Sequence, residues 1–150
     1  MIQHILFPTD GSAPARKALD YILPMAQKFS AKITLLHTYD FTMGHVMSRY
    51  STDSATLREM ESKISEFGHR MLEELADELR AQGFEIHGTF NEKGGAGQWI
   101  VRIAEREHCD LIVMGTHGMG VLKSVLLGST SHYVVNHCHK IPVFLVPVED

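Results

Sequence analysis

The chain has 150 residues, 44% of them apolar and 21% charged, and its 18 acidic against 14 basic side chains leave a formal charge of −4 at pH 7. A chain of this length buries roughly 70% of its unfolded surface as one domain, which excludes a disordered segment, and its acidic balance offers no general attraction to a nucleic-acid backbone. No stretch is long and apolar enough to span a bilayer, and two distant cysteines, Cys109 and Cys138, suggest neither a disulfide framework nor a zinc site. The expectations are one domain over residues 1–150, no membrane, no nucleic acid and reduced thiols. The start on MIQHILFP, without the parts of a signal peptide, adds a cytoplasmic location.

In chain order, Ile2 to Phe7 is a short apolar run ended by Pro8, Asp10 and Gly11, a buried strand and its loop, with Ser12 placed to cap a helix. There Ala18, Leu19, Ile22, Ala26 and Phe29 share one face, and Pro24 removes one backbone hydrogen bond, which predicts a kink and not a break. Ile33 to Leu36 reads as a second strand, which Thr38, Tyr39 and Asp40 leave for a polar stretch without clear period, lasting to about Ser54. From Ala55 to Gln82, Leu57, Met60, Ile64, Phe67, Met71, Leu75 and Leu79 recur every three or four residues, and Gly83 supplies the stop. This stripe is assigned to the core. Phe84, Ile86 and Phe90 alternate as a third strand, the glycines from Gly94 to Gly97 turn the chain, and Trp99, Ile100, Ile103 and Ala104 restore a helical period. Leu111 to Met114 is a fully apolar fourth strand that breaks into GTHGMG. Helix resumes at Ser129, with Val134, Val135 and Cys138 on one side, and Val143 to Val146 follows Pro142 as a fifth strand.

Strands alternating with helices imply parallel pairing through right-handed crossovers, hence a doubly wound α/β sandwich. Ligands of such sheets bind beyond the carboxyl ends of the strands, so the residues to inspect are PTDGS (Pro8 to Ser12), HTYD (His37 to Asp40) and the loop from Gly115 to Thr130. In that loop two residues separate Gly115 from Gly118, and nine more precede Gly128 and Ser129, which open the last helix. Glycine permits positive φ and close backbone approach, and a helix N-terminus adds unpaired N–H groups, an arrangement suited to phosphate oxygens. Taken singly, the two loop glycines read as turn residues, Ser129 as an N-cap and Asp10 as a turn aspartate; the spacing is what joins them. GxxxxGK[ST] and GxSxG are absent, and Lys123 stands where a dinucleotide motif would place its third glycine, which removes Walker ATPases, nucleophile-elbow hydrolases and Rossmann dehydrogenases. His137 and His139 lie two apart and point to different faces of a helix, so no metal site is expected there.

GxxG, nine residues and GS, behind an LIVM strand and with PTDGS near the start, resembles over the whole chain the ATP-binding branch of the universal stress protein family. The resemblance implies a five-stranded parallel sheet in the order 3-2-1-4-5, a three-layer α/β/α sandwich of the adenine nucleotide alpha hydrolase-like class. It implies that Asp10 holds the ribose hydroxyls with Pro8 and Thr9 beside it, and that the backbone of Thr38 faces adenine. Gly115 and Gly118 would lie at ribose and phosphate, and Gly128, Ser129 and Thr130 would take the phosphates. Met114, Thr116 and His117 complete the candidate set, His117 reading equally as a phosphate contact and as a solvent-facing loop side chain, and Lys123 as a neutralising or a solvated charge. The implied ligand is ATP, with magnesium left open, in a stress-response regulatory module. With no paired carboxylates beyond the lone Asp10 to activate water, turnover is expected to be weak at most. The alternatives are a slow ATP-hydrolysing or phosphate-transferring enzyme and a nucleotide-free protein-interaction domain. The apolar run Val143 to Val148, an edge strand in the implied order, is expected to pair with a second copy, and a protein partner remains to be named.

Overall fold

The structure, a computed structural model, describes residues 1–41, 53–117 and 127–147. Among these residues ten elements follow in order: β1 (His4–Pro8), α1 (Ala13–Arg16), α2 (Leu19–Phe29), β2 (Lys32–Tyr39), α3 (Ser54–Ala81), β3 (Ile86–Lys93), α4 (Ala96–Arg106), β4 (Leu111–Gly115), α5 (Ser129–His137) and β5 (Val143–Val146). The strands form one parallel sheet in the order β3-β2-β1-β4-β5. Alternate residues of each strand feed two cores. Ile5, Phe7, Ile33, Leu35 and Val113 pack under α2 and α3, while Leu6, Leu36, Ile112 and Met114 pack under α4 and α5. The expected three-layer sandwich is the observed one.

Ser12 caps α1 as expected, its Oγ accepting the Ala15 N–H at 3.2 Å. Helix α2 runs unbroken through Pro24, and the discontinuity falls earlier, where Lys17 and Ala18 close tighter turns onto Pro14 and Ala15. Strand β2 is longer than its apolar run: Thr38 and Tyr39 stay in the sheet because β3 continues beside them, pairing Thr38 with Glu92 and Tyr39 with Lys93. Strand β5 ends at Val146, and Val148 lies outside the described residues.

The stripe of α3 is the clearest correction. Leu57, Leu72, Leu75, Ala76 and Leu79 are buried, but Met60, Ile64 and Phe67 are 40%, 38% and 64% exposed. A helix of 28 residues is about 42 Å long, against about 26 Å for an eight-residue strand. Its pairing of Glu61 with Lys93, the last residue of β3, puts the preceding turns beyond that strand. Two neighbouring rows of the helix carry apolar residues, and the sheet lies under only one. Where α3 crosses the sheet closely it has Gly68, packed on a polar pair in which the His37 Nδ1–H donates to Asn91 Oδ1 (2.8 Å) and Asn91 Nδ2 donates to the Ser65 carbonyl (2.8 Å). A Cβ at Gly68 would collide with both side chains. On the other face Gly97 of α4 likewise seats the Tyr133 ring of α5, bringing these two helices together.

Candidate functional site

The carboxyl ends of β1, β2 and β4 and the first turn of α5 surround a cavity of about 210 Å³. From β1 come Pro8, Thr9 and Asp10, and from β2 Thr38. Strand β4 and its exit supply Met114, Gly115, Thr116 and His117; the start of α5 supplies Gly128, Ser129 and Thr130. Eleven of the twelve sequence candidates thus meet at one place, and the twelfth, Gly118, lies outside the described residues, as does Lys123. Ala15, Leu36, Ala96, Ile100 and Ser131 also line the cavity and were not singled out. Leu36 and Ile100 carry ordinary core periodicity, whereas the two alanines and a serine inside a helix have no motif of their own.

Local hydrogen bonds fix the β1 exit. The Thr9 N–H donates to the Leu36 carbonyl (2.8 Å), joining it to β2, and Asp10 Oδ1 accepts the Ser12 N–H (2.9 Å) in an aspartate turn. Between them Gly11 has φ +78°, a left-handed value that favours glycine, and its N–H donates to Thr9 Oγ1. Asp10 is the one carboxylate among the described lining residues.

The β4 exit is built differently. Thr116 N–H donates to the Val146 carbonyl at 3.0 Å, holding the strand end against β5. Its own carbonyl accepts two hydrogen bonds from the start of α5, the Gly128 N–H at 2.7 Å and the Ser131 hydroxyl at 2.6 Å. The chain therefore leaves at Thr116 and returns at Gly128 with these points in contact. Among the described residues no side chain caps α5, so its first-turn amides at Ser129 and Thr130 lack a side-chain acceptor there while their residues line the cavity. His117 Nδ1 lies 3.0 Å from Thr116 Oγ1. Gly115 takes no positive φ; a Cβ there would meet nothing among the described atoms closer than the His117 carbonyl oxygen at 3.5 Å. The described atoms leave room for a side chain at this position.

No group of three His, Cys, Asp or Glu side chains gathers among the described residues. His137 stacks on Tyr133 with centroids 3.8 Å apart.

The sheet and its helices have the fold of known proteins. The universal stress protein family matches residues 1–147, and the chain belongs to that family. It is 31% identical to universal stress protein MJ0577 of Methanocaldococcus jannaschii, over 97% of this chain and 95% of that one. The solved structure of MJ0577 superposes with a TM-score of 0.82 at 30% identity, covering 100% of this chain and 99% of the other. A universal stress protein in complex with cAMP shares the fold at TM-score 0.66 and 22% identity, covering 99% and 98% of the two chains. A family protein from Arabidopsis thaliana with AMP bound does so at 0.69 and 17%, covering 98% and 92%.

Proposed function

We propose that the chain binds an adenine nucleotide, ATP foremost, in this cavity, as the nucleotide-dependent part of a regulatory module in the cytoplasmic stress response. The observation that carries the reading is the meeting, among the described residues, of a helix start without a side-chain cap, a glycine whose Cβ position meets no more than an ordinary contact and one aspartate in a single cavity. Each suits one part of the ligand. The amides of Ser129 and Thr130 offer donors to phosphate oxygens at the positive end of a helix dipole. Asp10 accepts from ribose hydroxyls, and the backbone of β2 at Thr38 lies where adenine would be read. Gly128 contributes its position and not its amide, because that N–H is already given to Thr116. A magnesium ion would be held chiefly by the phosphates and water, with Asp10 the protein carboxylate at hand. Chains of the same fold with cAMP or AMP bound suit an adenine nucleotide, but the assignment rests on the residues of this chain.

Calorimetric titration with ATP, with released phosphate measured in parallel, tests the reading. Saturable binding is expected, with Asp10→Ala weakening it roughly ten- to a hundredfold, the usual cost of a lost charge-assisted hydrogen bond. Absence of binding would refute it, and steady turnover near the common enzyme median of about 10 per second would favour the enzymatic alternative.

For assembly we propose pairing of two copies along β5. Among the described strands β5 has β4 as its one neighbour, and Phe144 stands 37% exposed against the half-exposed ring of Tyr21 at 5.3 Å. Light scattering should give twice the 16.8 kDa chain mass, falling toward one chain mass in Phe144→Glu; a monomer for the unaltered protein refutes the pairing.

A further inference from the structure

Ser131 is 2% exposed, sits in the first turn of α5 and reaches back to Thr116, fifteen residues earlier, at the exit of β4. Its hydroxyl has one proton. Of the two carbonyls within reach, Thr116 at 2.6 Å is much nearer than Gly128 at 3.1 Å, and the Gly128 carbonyl already accepts the His132 N–H at 2.9 Å. The proton therefore belongs to the bond with Thr116. That carbonyl then has both lone pairs engaged, one by the Gly128 N–H and one by Ser131. Two bonds from different points of α5 to a single oxygen restrain both the approach and the tilt of the helix at the end of β4 more tightly than one bond would.

We propose that Ser131 is a positioning residue for phosphate recognition: through the Thr116 carbonyl it holds the first-turn amides of α5 at a set place opposite Gly115 before any ligand arrives. The proposal rests on the nucleotide reading above and deepens it. Donors held in place lose no ordering entropy when an anion binds. The adenosine portion, assigned to Asp10 and β2, lies on elements that Ser131 does not touch. A positioning role and a merely structural one thus differ in a measurable way. Loosening the clamp should weaken the phosphate-dependent part of binding and spare the nucleoside part, whereas general destabilisation would weaken both.

The test compares calorimetric affinities of the full chain for ATP and for adenosine in Ser131→Ala and Ser131→Cys, together with amide hydrogen exchange at Gly128 without ligand. The cysteine variant keeps the shape with a weaker donor, so it carries the comparison should the alanine variant fold poorly. The expected result is an ATP affinity about tenfold lower in Ser131→Ala, a smaller loss in Ser131→Cys, adenosine affinity within twofold of the parent, and faster exchange at Gly128. Equal losses for ATP and adenosine, or an ATP affinity unchanged in both variants, would overturn the proposal while leaving the binding reading intact. Failure of the unaltered protein to bind ATP would overturn that reading and this inference with it, even if Gly128 exchange still reported the clamp.

Discussion

In Gly115→Ala the fold is expected to stand, with stability unchanged or slightly raised, while ATP affinity falls about fivefold or more. The two halves of this expectation come from different observations. Gly115 lies at the end of β4, in register with Val146, without the positive φ seen at Gly11, Gly83 and Gly94. An added Cβ makes ordinary contact at 3.5 Å with the His117 carbonyl oxygen, so the described atoms do not oppose it. Replacing glycine where alanine fits stabilises by about 0.4–1 kcal/mol, because the unfolded chain has less freedom to lose. The same methyl group enters the cavity in which the ligand is proposed to touch the backbone. Overpacking by a methyl group costs about 1–3 kcal/mol, or roughly five- to a hundredfold in affinity. Thermal unfolding and calorimetry on one preparation check both halves. A variant that binds ATP as the parent does would show that the glycine serves the strand exit alone.

The second large effect is on stability and concerns the opposite end of the sheet. His4 is 2% exposed, its Nε2 lies 2.6 Å from Thr34 Oγ1, and its ring meets His87 edge-on at 4.7 Å. Burial, then the charges of Lys32 and His87, lower its pKa from the ordinary 6.5 to about 4, against weaker opposing effects from the Glu107 backbone and Asp110. The unfolded chain therefore takes up this proton near pH 6.5, and the folded chain only near pH 4. Between those values the unfolded state binds more protons, so stability rises with pH and is lost on acidification. From pH 7 to pH 5 the loss from this one group comes to about 2 kcal/mol. Urea unfolding at the two pH values should show it, and His4→Gln, which retains a polar partner for Thr34, should remove most of the difference between them. An equal pH dependence in parent and variant would place the acid sensitivity elsewhere.

How far the sequence carried can be judged from particular elements. The alternation of apolar strands and helices was enough for the sandwich, because parallel strands buried on both faces must be continuously apolar, as Leu111 to Met114 are. The ends of elements were less legible. Thr38 and Tyr39 are polar enough to suggest a loop, yet pairing with Glu92 and Lys93 keeps them in β2, and that pairing is tertiary. On α3 the row Met60, Ile64 and Phe67 has the same period as the buried row, and only the position of a shorter sheet separates the two. The site was legible through its glycines and its spacing. Ser131 was not, since its partner is the Thr116 carbonyl fifteen residues earlier, and a backbone acceptor leaves no mark in the residue types.

The most direct measurement of the central claim is a titration of isotope-labelled protein with ATP, followed by amide NMR. Saturable shifts are expected at Thr9, Asp10, Gly115, Thr116, Ser129 and Thr130, all of which line the cavity, with the amides of Ser129 and Thr130 moving further for ATP than for adenosine. Shifts centred elsewhere, on the exposed row of α3 or the edge of β5, or equal responses of Ser129 and Thr130 to ATP and adenosine, would contradict it.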